Sequence, residues 1–129
     1  MLVEGAITAL VTPMKENGDI DYESLENLIN FQIDRGISGI VAVGTTGESA
    51  TIDFDDHMRL IEFFVKVSDK RIPIIAGTGA NSTEEAITLT KSAEISGADA
   101  SLLVSPYYNK PPQDGIYEHH MRIADEVNL

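Results

Sequence analysis

The sequence predicts an α/β fold made of consecutive βα units. Four short β-branched runs recur about every thirty residues, the spacing of a repeated supersecondary unit. Each run gives way to a polar turn, and each turn to a segment whose apolar residues repeat at helical spacing.

The first run, "AITALVTP" (6–13), is read as a strand. It leads to "DYESLENLINFQIDRG", a helix with Leu25, Leu28, Ile29 and Ile33 on one face, Asp21 at the N-cap and Gly36 just past the end. "GIVAVGT" (39–45) is the second strand, and "DFDDHMRLIEFFVKVSDK" the second helix, capped by Asp53. "IPIIAGT" (72–78) is the third strand. In "STEEAITLTKSAEISG", Ser82 and Glu85 have capping-box spacing, Ile87 and Leu89 open the apolar face and Gly97 ends it. "ASLLVSP" (100–106) is the fourth strand, and a last helix is predicted from Asp114 toward Val127. Near-continuous apolar runs are the pattern of parallel strands buried on both faces, with crossover helices between them.

"RGISGIVAVG" and "ISGADASLLVS" echo each other as helix end, glycine, small residues, strand. This periodicity is shared by doubly wound sheets and by the (β/α)8 barrel and does not choose between them. A barrel needs eight units and about 250 residues, so four units amount to half of one. They leave the first and last strands with unpaired edges. The ending "RIADEVNL" stops where a fifth strand is due, so the 129 residues are expected to be a truncated half of a single domain.

Composition narrows the partners. With 43% hydrophobic and 23% charged residues, the chain reads as one globular domain. The formal net charge of −12 and the absence of Lys/Arg clusters argue against nucleic acid, whose phosphates need grouped cations. A local hydrogen-bonding site remains able to capture a small carboxylate. There is no cysteine, hence no disulfide framework, thiolate metal site or cysteine nucleophile. The start "MLVEGAITALVTPMKENG" lacks a basic leader and reads as a strand, and no stretch approaches the ~20 apolar residues of a membrane span. A cytoplasmic protein with no membrane partner is expected.

In parallel α/β folds ligands gather at the carboxyl ends of the strands. The turns there are "TPMKENG", "GTTGESA", "GTGANS" and "SPYYNKPPQDG", which offer the hydroxyls of Thr12, Thr45, Thr46 and Thr78 and two adjacent tyrosines. "GTTGES" is neither a Walker loop nor a dinucleotide fingerprint: it lacks the lysine, and Glu48 would repel a phosphate. It is either a tight turn whose threonines bond their own backbone or the edge of an active site. Tyr107 and Tyr108, framed by Pro106, Pro111 and Pro112, are either packing residues or rigidly placed proton-relay hydroxyls. His57, His119 and His120 lack metal-ligand spacing, so no metal is expected. None of Lys15, Lys66, Lys70, Lys91 and Lys110 lies in a buried strand where desolvation would yield a neutral amine.

"AITALVTPM", "GIVAVGTTGESAT", "RIPIIAGTGAN" and "SPYYNKPPQDGIYEHH", in this order and spacing, closely resemble the amino-terminal half of the dihydrodipicolinate synthase family, pyruvate-dependent class I aldolases that include N-acetylneuraminate lyase. "GTTGES" with "YYNKPPQ" is similar to the synthase branch. The resemblance covers essentially the whole chain. It implies the first four βα units of a (β/α)8 TIM barrel, with residues 1–129 the amino-terminal half of one domain. It implies an enzyme of lysine biosynthesis that condenses pyruvate, held as a lysine Schiff base, with aspartate semialdehyde, and that needs no cofactor. By the same resemblance Thr45 is a relay threonine and Thr46 binds the pyruvate carboxylate. Tyr108 is a relay tyrosine reaching a neighbouring subunit's site, which makes a homodimer, within a homotetramer, part of the mechanism. Ser49, Ala50, His57, Asn81, Glu85 and Tyr107 match a feedback site for L-lysine, and Phe54 departs from the histidine of one branch.

The Schiff-base lysine, a second relay tyrosine and a substrate-binding arginine belong, by the resemblance, to the other half, so the 129-residue chain is expected to be inactive alone. Another 2-keto acid aldolase of the same scaffold, and a non-catalytic half-barrel that self-associates, are the alternatives.

Overall fold

The computed structural model describes residues 4–129 and bears out the alternation. In chain order the elements are β1 (Ile7–Ala9), α1 (Tyr22–Asp34), β2 (Gly39–Ala42), α2 (Phe54–Ser68), β3 (Ile74–Gly77), α3 (Thr83–Ser96), β4 (Ala100–Leu102) and α4 (Gln113–Ala124). The strands form one parallel sheet in the order β1-β2-β3-β4, with Ala9 beside Val41, Val41 beside Ile75 and Gly77 beside Leu102. A sheet whose strands follow chain order through right-handed crossovers carries every helix on the same face. That excludes the doubly wound alternative, whose strand order reverses, and leaves the arrangement of four successive units of a (β/α)8 barrel.

The helix starts follow their sequence signals. The Asp21 carboxylate accepts the Ser24 N–H at 3.1 Å and its hydroxyl at 2.7 Å, and these bonds hold its pKa below the usual value. Ser82 accepts the Glu85 N–H at 3.4 Å. Gly36 and Gly97 end α1 and α3 at φ +79° and +89°, conformations that cost glycine little. Asp53 stands at the cap position of α2 but makes no side-chain cap bond.

The core lies between sheet and helices. Ile40, Ala42, Ile74 and Ala76 pack in one cluster with Leu25 and Ile29 of α1 and Leu60, Ile61 and Phe64 of α2, none more than 1% exposed. Burial of each large apolar side chain contributes about 1.5–3 kcal/mol. The exposed Arg59–Asp56 pair contributes at most ~1 kcal/mol, so the apolar layer sets stability. In α3 the buried face is Ala86, Leu89, Thr90 and Ala93, with Ile87 only partly covered. Small residues there let α3 approach its neighbours.

Two expectations are corrected. Burial on both sheet faces does not hold: Thr8 turns toward α1, its hydroxyl donating to Gln32 Oε1 at 3.2 Å, and the alternate residues of the sheet face away from the helices. On that open face Ile7, Val11, Leu102 and Val104 are 38–50% exposed. The last helix stops at Ala124, short of Val127. Lys91 draws Glu126 to α3, and Glu94 accepts the Asn128 N–H at 3.0 Å, so the chain leaves its helical path to meet α3.

Candidate active site

β2 ends because Val43, fully buried and β-branched, adopts φ +54°. Such left-handed backbone costs roughly 1–3 kcal/mol and persists only where the surroundings impose it. The chain then makes one 3-10 turn over Thr45–Gly47, in which the Gly47 N–H donates to Gly44 O at 3.0 Å and the Glu48 N–H to Thr45 O at 3.1 Å. Two neighbours fix this turn. A Cβ on Gly77 would press on the Val43 carbonyl oxygen and lie 2.9 Å from Gly44 Cα, so only glycine lets β3 come this close. The buried Thr12 hydroxyl, three residues beyond β1, donates to Gly47 O at 2.7 Å.

Held in this way, Thr45 and Thr46 are both exposed at the carboxyl end of β2. Thr45 lines a small cavity of about 40 Å³ with Gly77, Gly79, Leu102 and Val104, at the mouth formed by the ends of β2, β3 and β4. It also borders a larger cavity of about 590 Å³, whose walls include Ser49, Ala50, His57, Asn81, Glu85 and Tyr107. Thus Thr45 and all six residues matched to the lysine site share one cavity, whereas Thr12, Thr46, Thr78 and Tyr108 lie outside it. Phe54, Glu48 and Leu89 are also part of its lining.

The tyrosine loop is anchored by Asn81, whose Oδ1 accepts the N–H groups of Tyr107 at 2.8 Å and Tyr108 at 3.4 Å. Tyr108 is 87% exposed and lines neither of the cavities that Thr45 borders. Its hydroxyl is presented outward.

His57 is buried, and its Nε2 lies 2.7 Å from the Gly77 carbonyl oxygen. A carbonyl only accepts, so Nε2 carries the proton and Nδ1 the lone pair. Burial pushes the His57 pKa below the ordinary 6.5, opposed by the Gly77 bond and the charge of Glu85. The sign follows from which state takes the proton. As pH falls through 6.5 the unfolded chain binds it and the folded chain does not, so stability present at neutral pH is lost until the depressed folded value is reached. Urea midpoints are therefore expected to fall between pH 7.5 and 5.5, and less steeply in His57→Gln than in the parent; parallel profiles would refute this assignment.

His119 and His120 form an edge-to-face pair with ring centres 5.3 Å apart. His119 Nδ1 pairs with the Thr83 hydroxyl at 2.9 Å and His120 Nε2 with that of Ser105 at 3.0 Å, which ties the tyrosine loop and α4 to the start of α3. Burial, then the neighbouring His120, lowers the His119 pKa. Among the described residues no three His, Cys, Asp or Glu side chains converge on a metal-sized site. All five lysines are exposed.

Thr78, expected among the turn hydroxyls, is fully buried and bonds Thr90, at 2.8 Å, and Ser101. Strand alternation accounts for this: Ile74, Ala76 and Thr78 share the helix-facing side, while Gly77 and Gly79 face the cavity. Thr12, offered with the turn hydroxyls, is also buried and turns its hydroxyl onto the Gly47 carbonyl, while the Gly77 carbonyl that holds the imidazole went unassigned in the sequence.

Among the described residues no helix is long and apolar enough to cross a membrane. Comparison with known proteins agrees with the geometry. Residues 2–129 match the family model of the dihydrodipicolinate synthetase family. A 4-hydroxy-tetrahydrodipicolinate synthase of Persephonella marina is 58% identical over 128 residues, which are 99% of this chain and 43% of the relative. A solved chloride-inhibited dihydrodipicolinate synthase of Acinetobacter baumannii, complexed with pyruvate, superposes with a TM-score of 0.97 at 55% identity, covering 99% of this chain and 44% of that one. The synthase of Cyanidioschyzon merolae with lysine bound gives 0.93 at 42% identity, covering 97% and 43%. The chain thus spans less than half the length of these relatives. With one parallel sheet, a hydroxyl-bearing turn at its carboxyl edge and likeness along nearly its whole length, the chain belongs to the dihydrodipicolinate synthetase family.

Proposed function

We propose that this chain carries the carboxylate-binding and proton-relay part of a 4-hydroxy-tetrahydrodipicolinate synthase acting in lysine biosynthesis. The observation that carries the reading is the Thr45–Gly47 turn, clamped by Thr12 and Gly77 and presenting two exposed hydroxyls beside the cavity at the strand ends. The Thr46 hydroxyl and N–H hold the pyruvate carboxylate. A lysine outside these 129 residues condenses with the ketone, releasing water and leaving an imine. Loss of a methyl proton through the Thr45 hydroxyl gives the enamine, whose carbon adds to the aldehyde of aspartate semialdehyde. Tyr108, 87% exposed, is presented to the site of a second subunit in a homodimer of the homotetramer. No cofactor takes part, and the enzyme works in the cytoplasm.

The larger cavity is read as a regulatory site for L-lysine. Glu48 and Glu85 supply negative charge for an ammonium group, and the neutral Nδ1 of His57 an acceptor. The relative with lysine bound supports this reading.

The test joins residues 1–129 to the remaining length of one of the relatives. Borohydride reduction in the presence of pyruvate is expected to add a covalent mass to that protein, on a lysine beyond residue 129. The 129-residue chain alone is expected to take up none. An adduct on one of its own five lysines would overturn the assignment. The open apolar sheet face also favours self-association of the isolated chain, which its mass in solution reports.

A further inference from the structure

The Thr45–Gly47 turn has few internal restraints. Gly47 N–H and Glu48 N–H close it on itself, but these bonds fix its shape and not its place over the sheet. Among the described residues, one side-chain hydrogen bond reaches it from another element: the Thr12 hydroxyl to Gly47 O, 2.7 Å, with donor and acceptor residues both buried. Contact is tight there as well. A Cβ on Gly47 would lie 3.2 Å from both Leu10 O and the Thr12 hydroxyl oxygen. The turn is thus seated on the chain just beyond β1 by one donor and one missing side chain.

We propose that Thr12 is a positioning residue for carboxylate recognition. Its hydroxyl sets the height and tilt of the turn over the strand ends, and so the direction in which the Thr46 N–H and hydroxyl point. This inference rests on the proposed role of Thr46. Without the donor, the Gly47 carbonyl is left buried and unpaired, a state that a short turn relieves by tilting toward water. Thr45 at the turn's start and Thr46 at its centre then move together. The loss falls on binding of the pyruvate carboxylate, because the relay hydroxyl needs only one approach whereas a carboxylate needs two donors in register.

Three substitutions separate the hydroxyl from the volume. In the protein joined to the remainder of a relative, Thr12→Val keeps the volume and removes the donor, Thr12→Ser keeps the donor and removes a methyl, and Thr12→Ala removes both. The pyruvate KM is expected to rise about tenfold in Val and Ala and to stay at the parent value in Ser, a change in the range that one lost buried hydrogen bond supports. The KM for the aldehyde is expected to stay unchanged. If KM sorts by volume, with Ser and Ala raised and Val normal, Thr12 is a packing residue and the proposal fails. Should Thr12→Val not fold, the contrast of Ser with Ala decides alone. Thr46→Val serves as the control for the underlying reading. If it leaves the pyruvate KM unchanged, the carboxylate site is misplaced and the proposal falls with it; if it raises KM and the Thr12 variants do not, Thr12 alone is refuted.

Discussion

Thr45→Val is expected to lower kcat by about 10²–10³-fold in the protein joined to a relative's remaining length, the effect of removing a positioned proton-transfer group. Valine copies the shape of threonine, and Thr45 is exposed, so the fold is not at stake. The pyruvate KM is expected to move little, since the proposed carboxylate site is Thr46. Thr45→Ser keeps the hydroxyl and is expected to recover most of the rate. The measurement is steady-state condensation with both substrates varied. A kcat within about threefold of the parent would remove Thr45 from the relay, because a factor of three is only ~0.7 kcal/mol of barrier.

Gly77→Ala carries the largest stability effect. The new methyl would lie 2.8 Å from the Val43 carbonyl carbon and 2.9 Å from Gly44 Cα, and both are backbone atoms that cannot rotate away. Val43 is already held at φ +54°, so the strained turn is what must yield. Overpacking of this kind costs about 3 kcal/mol. With a urea slope of about 2 kcal/mol per molar, the midpoint should fall by roughly 1–2 M. His57 bonds the Gly77 carbonyl, so the same substitution is expected to disturb the larger cavity, proposed to bind lysine. An unchanged midpoint would mean that β3 and the turn do not meet as described.

Much of this was legible in the sequence for local reasons. Asp21 and Ser82 cap their helices, and Gly36 and Gly97 end theirs, because each acts through bonds or torsions within a few residues. What could not be read came from contacts distant in the chain. Val43 ends β2 inside an unbroken apolar run because Gly77, thirty-odd residues on, presses against it. Glu126 and Asn128 leave a helical pattern for partners on α3. Within the site, Thr45 and the residues matched to the lysine site line one cavity while Thr46 and Tyr108 stand outside it, and Thr12 and Gly77 act through backbone carbonyls that no side-chain pattern announces. Thr78 shows the reverse. A turn hydroxyl by position, it belongs to the helix-facing side by parity.

The order of strands bears on how the chain is made. Every strand pairs with the one before it, and each helix packs on its predecessor, so a unit leaving the ribosome finds its partner already present. Local topology of this kind assembles quickly, since little loop must be closed before contacts form. The open face is different. Ile7 and Val11 are synthesised first, Leu102 and Val104 last, and no helix of these units covers them. The nascent chain therefore acquires its helical layer early and carries an adhesive inner surface until something faces it, which places the risk of misassembly in the interval between the two events.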